Sequence, residues 1–185
     1  MKKLILFAFI SALLFSACKK AAKDEEFGFA KLYMPQATVQ SAGLNNNYFV
    51  YIKNYKTADT TILVGLYRSG LQPLTSVNVS LSVDQDTLAK AIVQSMAPGA
   101  SSNLDVYKSA KLLPQAYYTM PNSIGLNDGQ RESYVGLVVN KTLLEADPDY
   151  GVKSFILPVR ISNPTKFELN PKLSLTMFIF QKKIN

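Results

Sequence analysis

The chain has 185 residues, with 20 Lys and Arg against 13 Asp and Glu, and carries a formal net charge of +7. It contains no histidine, no tryptophan and one cysteine. That removes the commonest general base and metal ligand, the indole platform for a sugar ring, and any disulfide within the chain.

Residues 1–20, MKKLILFAFISALLFSACKK, open with Lys2 and Lys3 and continue as an apolar or small-residue run over 4–17 that ends at Cys18. This is the pattern of a secretory signal, and the run is shorter than the roughly 20 apolar residues a spanning helix needs. A cysteine directly after small residues resembles a bacterial lipobox. The resemblance implies cleavage before Cys18, lipid on its sulfur, and a membrane held as partner through that lipid anchor. Acylation also accounts for a lone cysteine in an exported, oxidised chain. Each buried methylene of the anchor adds about 0.8 kcal/mol to membrane binding. Residues 18–26 then read as the lipidated cysteine and a charged tether. No Asp follows Cys18 directly, and Lys23-Asp24-Glu25 resembles the lysine-plus-acidic signal of Bacteroidetes surface lipoproteins. The other reading of these charges is a plain solvated linker. The expected address is the outer membrane, at the cell surface or the periplasmic face.

Residues 27–185 read as one domain, long enough to bury a core without disulfides. A first strand is expected over 27–34, stopped by Pro35. A second, over 48–55, follows the turn cluster Asn45-Asn46-Asn47, and a third spans 60–68 before Ser69-Gly70. Residues 77–83 alternate strictly, with Val77, Val79, Leu81 and Val83 on one face, as a half-buried strand does. The period then switches. Asp86 is the expected cap of a helix over 84–96 that places Leu88, Ile92 and either Ala91 or Met96 on one face, before Pro98-Gly99 stops it. A helical turn falls within 103–113, and a short strand over 117–120. Asp128-Gly129 predicts a two-residue hairpin joining 123–127 to a return strand over 132–140. One helical turn lies over 142–146. Residues 155–161 form a strand whose Pro158 marks an edge or a bulge. Residues 173–180 close the domain. Seven to nine short strands with one or two short inserted helices predict an all-β fold, an immunoglobulin-like antiparallel β-sandwich with Greek-key connections. A barrel is the alternative.

Tyr33-Met34-Pro35-Gln36-Ala37, Leu81-Ser82-Val83-Asp84, Leu113-Pro114 ahead of Tyr117-Tyr118, the Asp128-Gly129 turn, and the run from Phe155 to Ile161 occur together in this order. In this they resemble an uncharacterised N-terminal domain family of Bacteroidetes surface lipoproteins, over roughly residues 27–182. Relatives in that family place the domain ahead of a family 18 glycosidase domain or a lectin-like domain. The resemblance implies a sandwich, a cell-surface or periplasmic address and an association with glycan utilisation. It brings no established site residues. No such later domain follows Lys183 in this sequence, so those activities are not expected of it.

The chemistry available to the chain is limited. Asp84 with Asp86, and Asp147 with Asp149, are the closest carboxylate pairs, and neither lies in a D-x-[DN]-x-[DN]-G loop. The second pair reads as a turn. No two carboxylates are placed as a glycosidase requires. The chain is therefore expected to be no enzyme, with no metal and no cofactor. Its basic residues are scattered, so no nucleic-acid partner is expected. Tyr107, Tyr117 and Tyr118 lie near predicted loop ends, where aromatic faces could meet a glycan ligand; core packing is the alternative for each. Thr60 and Thr87 sit in short Asp-Thr patterns resembling the O-glycosylation sequon of Bacteroidetes exported proteins. The function expected is a non-catalytic, glycan-associated binding module of a polysaccharide-utilisation system. The alternative is a structural or adhesive subunit that contacts an outer-membrane protein through edge strands such as that around Pro158.

Overall fold

The computed structural model describes residues 30–38, 46–52, 59–70 and 74–182. Cys18, the signal sequence, the tether and Lys23-Asp24-Glu25 lie outside the described residues. In chain order the strands are β1 (Lys31–Tyr33), β2 (Asn47–Ile52), β3 (Asp59–Arg68), β4 (Val77–Val83), β5 (Ala110–Leu112) and β6 (Tyr118–Thr119). They continue as β7 (Ser123–Leu126), β8 (Glu132–Asn140), β9 (Ser154–Ser162), β10 (Glu168–Leu169) and β11 (Leu175–Lys182). The α-helices are α1 (Gln85–Ser95), α2 (Asp105–Lys108) and α3 (Lys141–Ala146). Two sheets face each other. One has the order β10-β1-β3-β8-β6; the other runs β2-β11-β9-β4-β7, with β5 beside β9. The architecture is the all-β sandwich expected. Most pairs are antiparallel, while β1–β10, β2–β11 and β5–β9 are parallel.

Between the sheets lies a core that includes Leu32, Val64, Leu66, Leu137, Val139, Leu157, Phe178 and Phe180, all fully buried. The alternation of β4 holds: Val77, Val79 and Leu81 face this core, while Asn78 and Ser82 are exposed. Strands β9 and β11 read instead as nearly unbroken apolar runs, because both of their faces are covered. Phe155, Leu157 and Val159 enter the inter-sheet core, whereas Ile156, Met177 and Ile179 form a second cluster with Leu88 and Ala91 of α1 and Tyr107 of α2.

Three sequence expectations are corrected. The cap of α1 is Asp84, not Asp86: its carboxylate accepts from the Thr87 amide at 3.0 Å and from the Thr87 hydroxyl at 2.9 Å. The expected face holds with Ala91 as its third member: Leu88 and Ala91 are buried with Ser95, Ile92 packs against the same cluster, and Met96 is exposed.

Asp128-Gly129 does not close a hairpin. Strand β7 pairs with β4 and β8 pairs with β3, so the turn passes from one sheet to the other. It is pinned against the entry to β4. The Gly129 amide donates to the Leu74 carbonyl at 2.7 Å, and the Ser76 amide donates to the Asp128 carboxylate. Fully buried Arg68 fastens the same arch by donating to the Thr75 and Gln130 carbonyls.

Pro158 lies in the middle of a sheet, not at its edge. On one flank of β9, β11 pairs over residues 155–160. On the other, β5 pairs up to Ile156 and β4 begins at Val159. The Pro158 carbonyl accepts from the Asp84 amide on that second flank. The nitrogen of an extended residue faces the same way as its carbonyl, so the missing N–H falls in the gap between β5 and β4.

Candidate functional site

A groove of about 620 Å³ lies between β2, at the margin of one sheet, and β3 of the other. Its aromatic wall follows from the period of β2. Val50 and Ile52 turn into the core, which puts Phe49 and Tyr51 together on the opposite face. Their rings stack at 6.4 Å with 17° between planes, and Tyr51 is 56% exposed. Tyr48 also lines the groove, with its ring edge-on to Phe178 at 5.5 Å.

The other wall is built on β3 and β8. The outward positions of β3 are Thr61, Leu63, Gly65 and Tyr67. Gly65 is paired with Tyr134, whose ring lies across the glycine. A Cβ at Gly65 would stand 2.8 Å from Tyr134 Cε1 and 3.1 Å from Pro35 Cδ. The bare glycine therefore lets the ring lie flat on the sheet. The Tyr134 hydroxyl donates to Glu132 at 3.1 Å, and that bond to a carboxylate raises its pKa above the ordinary tyrosine value. Tyr33 and Tyr67 extend this face, with ring centroids 5.0 Å apart.

Beyond Tyr33 the edge of β3 loses its strand partner, and buried Gln36 takes that place. Its side-chain amide donates to the Leu63 carbonyl at 2.9 Å and its side-chain oxygen accepts from the Gly65 amide at 3.1 Å. One side chain thus imitates a strand neighbour and satisfies buried backbone groups. Thr60 and Thr61 also line the groove. Neither hydroxyl has a hydrogen-bond partner among the described residues, so both can meet a polar ligand.

The three tyrosines singled out from sequence are not brought together on this surface. Tyr107 is fully buried and donates to Asn47 Oδ1; burial pushes its pKa up to about 12. Tyr118 is also buried and donates to Gln115 Oε1 at 2.7 Å. Tyr117 is half-buried, and its hydroxyl donates to Asp147 Oδ2 at 3.0 Å. Asp147 belongs to an ionic cluster in which Lys111 reaches Asp147 at 3.0 Å and Asp149 at 2.9 Å, with Lys153 at 3.2 Å from Asp149. The turn read at Asp147-Pro148-Asp149 carries this cluster, and the Asp149 amide donates back to Asp147. Among the described residues no group of three or more acidic or cysteine side chains is placed to hold a metal ion. Thr60 faces the groove, and the Thr87 hydroxyl is engaged by Asp84 and Arg160. The sequence reading missed Phe49, Tyr51 and Tyr134. The first two were accessible to it, since the alternation around Val50 and Ile52 already turns them outward. Tyr134 was not, because its role depends on Gly65 lying opposite.

Residues 29–168 match the model of a family described as an N-terminal domain. The chain belongs to that family. No curated protein matches the sequence. Among solved structures, a Bacteroides ovatus protein named as a candidate carbohydrate-binding protein is similar at 13% identity and TM-score 0.54, over 83% of this chain and 37% of that one. A Bacteroides ovatus protein of unknown function is similar at 20% identity and TM-score 0.55, over 80% of this chain and 43% of that one. A multidomain Bacteroides ovatus protein including DUF1735 is similar at 13% identity and TM-score 0.52, again over 83% of this chain and 43% of that one. The chain spans less than half the length of each. At these identities the similarity is one of fold.

Proposed function

We propose that this domain is a non-catalytic glycan-binding module, and that the groove between β2 and β3 is where glycan sits. One observation carries the reading: stacked Phe49 and Tyr51 line a groove together with Tyr134, Thr60 and Thr61, and the two threonine hydroxyls have no partner among the described residues. A pyranose ring has an apolar C–H face and a rim of hydroxyls. Tyrosine faces suit the first and threonine hydroxyls the second. The groove volume lies within the range of about 300–1,000 Å³ typical of small-ligand sites. The candidate carbohydrate-binding protein among the similar structures supports the same reading.

A glycan array probed with the full-length chain tests it. Saturable binding to a defined neutral glycan is expected, reduced tenfold or more by Tyr51→Ala together with Tyr134→Ala. Silence on the array, or binding indifferent to both substitutions, overturns it. Silence accompanied by a co-purifying membrane protein would favour the adhesive alternative, with strand addition along the margin of β2 that pairs with no strand among the described residues, in place of the Pro158 region.

The same proposal places the domain outside the cytoplasm on a lipid anchor at Cys18, in the outer membrane. The lipobox-like sequence supports this. Among the described residues no helix is long and apolar enough to cross a membrane. Cys18→Ser is expected to move the protein from the membrane to the soluble fraction. Unchanged membrane fractionation at full size would exclude the anchor.

A further inference from the structure

A second cavity, of about 590 Å³, opens beside α1 on the helix-covered side of the β9–β11 sheet. Its floor is apolar, from part-exposed Leu173 and Leu175 over buried Met177, while Lys90, Arg160 and Lys172 stand around it, with Gln94 as a neutral donor and acceptor. No carboxylate lines it among the described residues. Asp84, which contacts the cavity's Arg160, is already engaged: it caps α1 and pairs with Arg160 Nε. Lys90 and Lys172 have no ion-pair partner among the described residues and are both exposed. The cavity therefore keeps an uncompensated positive charge over a greasy floor.

Its wall is preformed. The Asn46 side chain donates to the Lys172 carbonyl at 2.8 Å, and the Lys172 amide donates to Asn170 Oδ1 at 3.1 Å. The next residue, Leu173, is held on both backbone groups: its amide donates to the Asn170 carbonyl and its carbonyl accepts from the Met34 amide. A fixed wall reduces the ordering cost of binding.

We infer that this cavity takes a carboxylate-bearing saccharide, its carboxylate meeting Lys90 and Lys172 and the C–H face of its ring resting on Leu173 and Leu175. The saccharide class rests on the glycan-binding reading; the charge and the location do not. Neutral sugar would leave two lysines without a counter-charge. A simple inorganic anion would leave the apolar floor uncovered.

Titration calorimetry on the full-length chain, with trigalacturonate and its methyl ester, tests the assignment. Trigalacturonate is expected to bind saturably, the ester at least tenfold more weakly, and added salt to weaken only the acid. Lys90→Gln with Lys172→Gln should cost tenfold or more with an unchanged thermal midpoint, since both side chains are exposed. Tyr51→Ala with Tyr134→Ala should leave trigalacturonate binding unaltered. Failure to bind trigalacturonate, equal binding of acid and ester, or a loss that follows the tyrosine pair overturns the inference. The first two outcomes leave neutral glycan at the β2–β3 groove untouched, and the third would move the acid sugar to that groove, so the two readings fail separately.

Discussion

Gly65 occupies its place because of one atom it does not have. Its φ is ordinary, so the requirement is space: Tyr134 and Pro35 both crowd the position where a Cβ would stand. Gly65→Ala is expected to lift the Tyr134 ring off the sheet and cost about 1–3 kcal/mol in urea unfolding, as overpacking does. In a Tyr134→Ala background the same substitution should cost less, a coupling of about 0.5–3 kcal/mol; additive costs would show that the ring yields freely. Pro35, 3.1 Å from the added carbon, will keep a residual penalty in both backgrounds. Gln36 shows the same economy, one amide serving two backbone groups of β3. Sequence marks neither role. Gly65 looks like any strand glycine and Gln36 like a surface polar residue, until β3 and its neighbours are assembled around them.

At the scale of the element, α1 and β9 meet through Asp84. The residue caps the helix, pairs with Arg160 of β9, and donates its own amide to Pro158. Burial alone would raise the Asp84 pKa, but the bonds from Thr87 and Arg160 outweigh it and hold the carboxyl below its ordinary range. Asp84→Ala is expected to destabilise the chain by about 1–2 kcal/mol through the lost cap. Asp86→Ala, at an exposed site, should change stability by less than about 0.5 kcal/mol. Equal effects in thermal or urea unfolding would return the cap to Asp86. Periodicity located this helix to within a residue or two, and it located β4 at both ends. It could not choose between two aspartates two residues apart, because either side chain could reach the first-turn amides. The choice was made by Arg160, 76 residues further along the chain. Pro158 was misplaced for a related reason. A proline is excluded from a central strand only where its N–H would be bonded, and β5 and β4 stop short on either side of it.

The whole molecule joins its two sheets and its peripheral segments with a few charged contacts. Asp147 lies below its ordinary pKa chiefly through the Asp149 amide, and Asp149 chiefly through Lys111. Lys111 is raised in turn, first by Asp149. For the three depressed carboxyls, Asp84, Asp147 and Asp149, the stabilising contribution is complete above their ordinary value of 3.8 and is lost as pH falls through the lower folded values. For Lys111 it is present below 10.5 and lost as pH rises through the higher folded value. The urea midpoint should therefore stay level between about pH 5 and 9 and fall below about pH 4, less steeply in Asp147→Asn. An acid limb of the same slope in that variant would remove the cluster from the account.

By itself the sequence determined the class of fold and most of its strands, because a half-buried strand must alternate and a doubly covered one must be apolar throughout. It also determined the poverty in catalytic side chains, which composition fixes before any folding. Tertiary structure decided which strands are neighbours, and so sent Asp128-Gly129 across the sandwich instead of around a hairpin. It buried Tyr107 and Tyr118 and exposed Tyr51 and Tyr134. The physical reason is common to all of these. Local pattern reports which face of a segment avoids water, whereas a groove is made where faces of distant segments meet, and nothing within any one of them records that meeting.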